Sequence, residues 1–346
     1  MWYYRFFRTI TNIHRIIIYL VLTYFQKNLN VTYNKVKVIS SEDENIVKQY
    51  YFLNDLGSCD CVKISRCDCL ILIDNFTLFT FIKFIRCIKR IRVIDINFFA
   101  HLGLNMLINI GFFDIATKHQ RSSMKKSSLK NYYTLKELLQ DTEVFVLGTN
   151  ATFTKNLKLL NNRPVFICND AIYKISEIKA EIIVFCFADP LFHFSADKNS
   201  INFLNTIKQN EKYIDYLVVP INAIPIIKNM QINTKIIGVN SSNKNQRFLE
   251  INKSDLTTKK THNIMTQFML PISLSVSKKV FLGSVTVSNN FDKKLWNYDT
   301  TLMKNNQKNY AFKYSFFRDR NFKNYYKVHH KFLNKQINES NNLELL

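Results

Sequence analysis

Val144-Phe145-Val146-Leu147-Gly148-Thr149-Asn150-Ala151-Thr152 is the stretch that decides the fold. Four consecutive apolar residues leave no polar face, so they suit a strand covered on both sides. Gly148 lets the chain turn sharply, and Lys155 to Leu160 reads as a short helix after it. Strand, glycine turn and helix in that order open a βα unit. The pattern recurs at once in Val165-Phe166-Ile167-Cys168 and Ile182-Ile183-Val184-Phe185-Cys186-Phe187. Polar residues mark where these runs end, Asn169-Asp170 in one case and Asp189-Pro190 in the other. In open parallel sheets, ligands sit beyond the carboxyl ends of the strands.

Further strands are predicted at Tyr216 to Pro220, Lys235 to Val239 and Lys279 to Gly283, with a helix from Thr261 to Ser275. From Asn321 to Asn338 the residues Phe322, Tyr325, Tyr326, His329, Phe332, Leu333 and Ile337 recur at i, i+3, i+4 spacing, which predicts an amphipathic closing helix. The expected fold class is α/β: a Rossmann-like, mostly parallel sheet with flanking helices over 134–346.

Upstream, a smaller α/β region is expected over 41–118. Its strands are Leu70-Ile71-Leu72-Ile73 and Ile91-Arg92-Val93-Ile94-Asp95-Ile96, within short β-like runs that start near Val36. Helical patterns follow at Phe76 to Arg90 and Phe98 to Phe113. Residues 1–40 form a basic, aromatic segment. Residues 119–133, with Gln120-Arg121-Ser122-Ser123-Met124-Lys125-Lys126-Ser127-Ser128, lack apolar periodicity and read as an exposed linker. Thr134 and Glu137 then form a capping box for a helix from Leu135 to Gln140.

The chain of 346 residues has 47% hydrophobic and 21% charged residues, which excludes wholesale disorder. Its net charge of +22 suggests an anionic partner: a phospholipid surface, an acidic glycan, a nucleotide-sugar or nucleic acid. The lysines are spread along the whole chain, and Asn, Lys and Ile share AT-rich codons, so codon bias accounts for part of the charge. Seven cysteines and no cleavage pattern suit a reducing cytoplasm. The pairs Cys59-Asp60-Cys61 and Cys67-Asp68-Cys69 read as strand residues, because structural zinc sites space their thiolates more widely. No apolar run reaches the ~18 to 20 residues of a membrane span. The run Ile16 to Phe25, set among Arg5, Arg8, Arg15 and Lys27, leaves peripheral contact with the inner face of an anionic membrane open.

The Gly148 turn is neither a Walker loop nor a dinucleotide fingerprint. On its own it is either an ordinary strand–helix turn or a phosphate cradle. The order of motifs, however, resembles the bacterial sialyltransferase-like glycosyltransferases and related surface-carbohydrate proteins. That family opens with an apolar strand and Gly-[Thr/Asn]-Gly-Pro-Ser, here Gly148-Thr149-Asn150-Ala151-Thr152. Its second strand ends in Asn, here Cys168-Asn169-Asp170, and its third in [Asn/Asp]-Pro-x-x-Phe, here Asp189-Pro190-Leu191-Phe192. Thr261-His262-Asn263, Gly283-Ser284-Val285, Ser315-Phe316-Phe317 and Tyr325-Tyr326-Lys327-Val328-His329 match its later motifs. The resemblance covers about 143–339.

It implies transfer of a sialic-acid-like sugar from a CMP-type donor to a glycan or glycolipid hydroxyl in surface-polysaccharide synthesis. No resident cofactor or metal is implied, and no Asp-x-Asp motif is present. Donor-binding positions would be Gly148, Thr149, Asn150, Asn169, Asp189, Thr261, Asn263 and Tyr325, with Tyr310, Tyr314 and Tyr326 as further hydroxyls. The acceptor needs a base, for which His193, His262 and His329 are candidates. Each has a structural alternative: His193 beside a turn, His262 at a helix start, His329 on an apolar helix face. Two departures stand out. Val285 replaces an Asp, and Lys313, in Lys313-Tyr314-Ser315-Phe316-Phe317, replaces the expected His. A non-catalytic carbohydrate- or nucleotide-binding relative and a basic nucleic-acid-binding protein are the competing readings.

Overall fold

A computed structural model describes residues 35–39, 57–58, 70–73, 82, 91–93, 118–149, 152–194, 198–242, 249–261, 263–285 and 322–346. The chain divides into two units, 1–115 with 190–201, and 116–189 with 202–346. In the first, β1 (Lys35–Ile39), β2 (Gly57–Ser58), β3 (Leu70–Ile73) and β4 (Ile91–Val93) form a parallel sheet in the order β2-β1-β3-β4. The parallel pairing agrees with the sequence reading. Its two helix expectations lie outside the described residues except for Ile82, which is helical, and Cys59, Cys61, Cys67 and Cys69 lie outside them too.

The second unit is built on the apolar runs. β5 (Glu143–Leu147), β6 (Val165–Cys168), β7 (Ile183–Cys186), β8 (Tyr216–Pro220), β9 (Lys235–Ser242) and β12 (Lys279–Gly283) appear where the sequence placed them. With β10 (Ile251–Asn252), β11 (Thr257–Lys259) and β13 (Leu343–Leu345) they form nine strands in the order β10-β11-β9-β8-β7-β6-β5-β12-β13. Every pairing is parallel except β10 with β11. Val144, Val146, Phe166, Val184, Leu217 and Val280 are all fully buried. Each such side chain contributes about 1.5–3 kcal/mol by leaving water.

The segment read as a linker is instead the first half of a 22-residue helix, α1 (Lys118–Leu139). Met124, Ser128, Tyr132, Leu135 and Leu139 are buried along one side of it. Two polar residues on this side have a specific task. β11 pairs only with residues 240–242 of β9, which leaves an uncovered edge at 235–239. There the Gly238 N–H donates to Ser128 Oγ at 3.0 Å, and Asn131 Nδ2 donates to the Ile236 carbonyl at 2.8 Å. The helix therefore satisfies backbone groups that the sheet leaves open. Glycine is needed at 238 because a Cβ would lie 3.0 Å from Ser128 Oγ and 2.6 Å from Ile224 Cδ1. Thr134, expected as a helix cap, sits inside α1 and donates back to the Lys130 carbonyl.

The remaining helices are α2 (Phe153–Leu157), α3 (Pro190–His193), α4 (Lys198–Gln209), α5 (Ile224–Asn229), α6 (Leu270–Val276, preceded by a wider turn at Met265–Met269) and α7 (Phe322–Glu339). α7 is the predicted closing helix, and it leads into β13, which the sequence reading had not placed. Among the described residues, no helix is long and apolar enough to cross a membrane.

Candidate functional site

Because β5 to β9, β11 and β12 run the same way, their carboxyl ends share one edge. Strand order reverses at β5, with β6 to β9 on one side and β12 on the other. Such a reversal is where an open α/β sheet leaves a crevice for a ligand.

Gly148 and Gly283 close β5 and β12 at this point, and the Gly148 N–H donates to the Gly283 carbonyl at 3.0 Å. The sequence reading attributed Gly148 to a sharp turn. The structure assigns it to close approach, since a Cβ there would lie 2.4 Å from the Ser284 carbonyl oxygen and 3.3 Å from Val285 Cγ1. Ser284 adopts a left-handed φ of 54°, and its Oγ accepts from Asn156 Nδ2 at 3.0 Å. Asn156 thus ties α2 to the end of β12. α2 is only five residues long, so it carries little aligned dipole toward an anion.

One strand over, Asn169 follows β6 at φ 49°, in the left-handed region that Asn tolerates better than most residues. Its Oδ1 is buried and accepts no hydrogen bond among the described residues. Asp170 comes next, and burial raises its carboxyl to about 7. Its charge in turn raises Cys168, whose buried thiol is pushed up to about 12, mainly by desolvation. Cys168 pairs in register with Cys186, and both thiols stay protonated beneath the site. Lys174 Nζ donates to Thr154 Oγ1 at 3.0 Å, joining the turn after Asn169 to α2. This bond holds the 3-10 turn that starts at Asn169 against α2.

Further along the edge, the residues after β11 form a closed network. His329 Nε2 lies 2.8 Å from the Thr261 carbonyl, which can only accept, so Nε2 carries the proton. Nδ1 is then an acceptor for the Thr266 hydroxyl at 3.3 Å. The Thr261 hydroxyl donates to Thr266 Oγ1 at 2.9 Å, and the Thr261 N–H donates to Gln267 Oε1. Asn263 Oδ1 caps the helix, accepting from the N–H groups of Met265 at 2.9 Å and Thr266 at 3.5 Å. The groups proposed from the sequence for holding a phosphate here are already engaged by the protein.

His193 closes α3, is buried, and meets Phe194 edge-on with ring centroids 6.2 Å apart. Desolvation lowers it to about 3, so the imidazole is neutral at any physiological pH. Asp189 lies two residues past Phe187, half-buried. Thr149 follows Gly148 directly, and Val285 packs against the core. Asn150, His262, Tyr310, Lys313, Tyr314 and Ser315 to Phe317 lie outside the described residues, as do the side chains of Tyr325 and Tyr326. The structure thus brings together Gly148, Thr149 and Asn169, and it separately groups Thr261, Asn263 and His329. Sequence reasoning missed Asp170 as a site residue, together with Asn156, Thr266 and Ser284. Asp170 had a visible signal in its place at a strand end.

A groove of about 440 Å³ lies elsewhere, between β10 and the helices α6 and α7, with Ile251, Lys253, Leu274 and Gln336 in its wall. None of the strand-end residues lines it. No protein-family model matches the chain, and no curated protein matches it.

Proposed function

We propose that the carboxyl edge of the nine-stranded sheet binds a nucleotide-sugar of the CMP type, and that the protein transfers the sugar to a glycan or glycolipid hydroxyl. The observation that carries this reading is Asn169. Its left-handed backbone and buried, unfilled Oδ1 stand one strand from the point where strand order reverses. A strained residue holding a vacant acceptor suits a ligand that brings a hydrogen-bond donor, as a ribose or a nucleobase does.

In this reading Asp170 takes the place of a histidine base. Its carboxylate removes the acceptor hydroxyl's proton while that oxygen bonds to the sugar's anomeric carbon. The bond from that carbon to the phosphate oxygen breaks, and its electron pair leaves on the nucleotide. A carboxyl held near neutrality is suited to both halves of such a proton exchange.

A binding-only relative is the second reading, and it has its own support. His329 spends both ring nitrogens on the protein, and His193 is buried and neutral. A thermal-shift series with CMP, UDP, GDP and their sugars tests the first proposal. Stabilisation by CMP or CMP-sialic acid supports it, and no response to any nucleotide sinks it. Nucleotide binding without donor turnover would leave the second reading in place.

A further inference from the structure

The groove between β10, α6 and α7 lies wholly within the second unit and shares no residue with the strand-end site. Its volume of about 440 Å³ is that of a small-molecule site. Its charges cancel. Glu250 and Lys253 bring one of each sign and the other wall residues are neutral, in a chain whose net charge is +22. An anion, which a chain of this charge attracts in general, meets no excess of cations here.

The neutral polar groups of the wall mix donors with acceptors. Ser340 Oγ donates to Asn342 Oδ1 at 2.9 Å, so the Asn342 Nδ2 hydrogens and the lone pairs of Ser340 remain for a ligand. One turn before Ser340, on the same side of α7, Gln336 adds a carboxamide that can do both. β10 and α6 supply an aliphatic wall that includes Ile251, Pro271 and Leu274.

We infer that this groove binds a neutral carbohydrate. Each sugar hydroxyl both donates and accepts, which suits two carboxamides and a serine oxygen better than it suits fixed charges. A pyranose ring also carries a face of C–H groups, which suits the aliphatic wall. Phe332, 44% exposed, stands four residues before Gln336 on the same side of α7, where its ring prolongs that apolar surface. The main alternative is a peptide added as a further strand. β10 gives it little to pair with, being two residues long. The chain closes directly after it: Asn252 Oδ1 takes the Ser254 N–H, and the Lys253 carbonyl accepts from Tyr133. The inference does not depend on the nucleotide reading.

The test is saturation-transfer NMR and calorimetric titration of the full chain with maltotriose, cellotriose and triacetylchitotriose, and with trialanine as the peptide probe. At least one trisaccharide is expected to bind with a Kd on the order of 1 mM, the range that a few exposed hydrogen bonds support. Added salt should leave that affinity unchanged, because the ligand is neutral. Q336A is expected to weaken binding about tenfold, the effect of losing one hydrogen-bonding group. S340W, which fills the groove with an indole, is expected to abolish it. Circular dichroism and melting temperature check that both variants fold. No binding of any trisaccharide, affinity that survives in both folded variants, or affinity that falls with salt would each overturn the inference. So would trialanine binding more tightly than every sugar.

Discussion

Two polar groups of residues stand on one edge of one sheet, and they differ in what they still need. Around His329 every donor and acceptor discussed above has a protein partner: Thr261, Thr266, Asn263 and Gln267 close on one another. At Asn169 and Asp170 the backbone is strained, an amide oxygen lacks a partner among the described residues, and a carboxyl sits where burial disfavours its charge. A fully satisfied network makes the fold unique and rigid. An unsatisfied one lowers stability and persists where it serves a ligand. On the proposed reading, the His329 cluster braces the edge and the Asn169-Asp170 pair is the face that the edge offers to a ligand.

The brace should therefore fail in stability before it fails in binding. His329→Ala leaves the Thr261 carbonyl and the Thr266 hydroxyl without their partner and opens a cavity between α7 and the start of the helix at residue 264. A loss on the order of 3 kcal/mol is expected in urea denaturation. Protein that remains folded should still respond to CMP in a thermal shift. Unchanged stability with the nucleotide response gone would reverse the assignment and make His329 a ligand-binding residue.

Asp170 should behave in the opposite sense. Its carboxyl is near 7 in the folded chain and near 4 when unfolded, so between these values the folded state binds more protons. Wild-type stability is then highest in acid, falls as pH rises from about 4 to about 7, and is level above that as far as this group is concerned. Asp170→Asn removes this component. The variant's advantage should be absent near pH 4 and about 2 kcal/mol near pH 8, the full shift being discounted for the solvent the side chain retains. Donor turnover should fall while CMP still binds. Parallel stability–pH curves for variant and wild type would show that the carboxyl is not held near neutrality.

Asn263→Ala tests the brace on a smaller scale. It removes the cap of the helix that carries Thr266 and should cost about 1 kcal/mol without affecting nucleotide binding. A larger loss in the CMP response than in melting temperature would place Asn263 in the binding face.

Much of the sheet was legible in the sequence, because strands buried on both faces must be apolar throughout. Val144 to Leu147, Val165 to Cys168 and Ile183 to Cys186 carry that signal without interruption. α1 was not legible, and the reason is physical. Its core-facing side includes Ser128 and Asn131, which bond to the open edge of β9, so the apolar period is broken where the helix meets backbone. β10, β11 and β13 are two or three residues long, too short for any period to show. For the site, glycine and asparagine at strand ends were readable as types. Their states were not. Whether Asn263 faces a ligand or caps its own helix, or why Gly148 must lack a Cβ, depends on Met265, Ser284 and Val285, which only the fold brings near.

The smallest expected effect separates the two groups most cleanly. Asn169 holds φ at 49°, a conformation that costs glycine almost nothing and an L side chain something. Asn169→Gly therefore relieves strain and removes an amide oxygen that has no partner among the described residues, at the expense of a more flexible unfolded chain. The net result should be a gain of a few tenths of a kcal/mol, seen as a slightly higher melting temperature. In the same protein the thermal response to CMP should vanish, since the vacant acceptor is gone. A variant that melts higher and no longer responds to nucleotide would show that the chain keeps Asn169 for its ligand at the expense of its fold. If Asn169→Gly instead melts lower and binds as before, the residue belongs with the brace, and the distinction between the two groups fails at its central position.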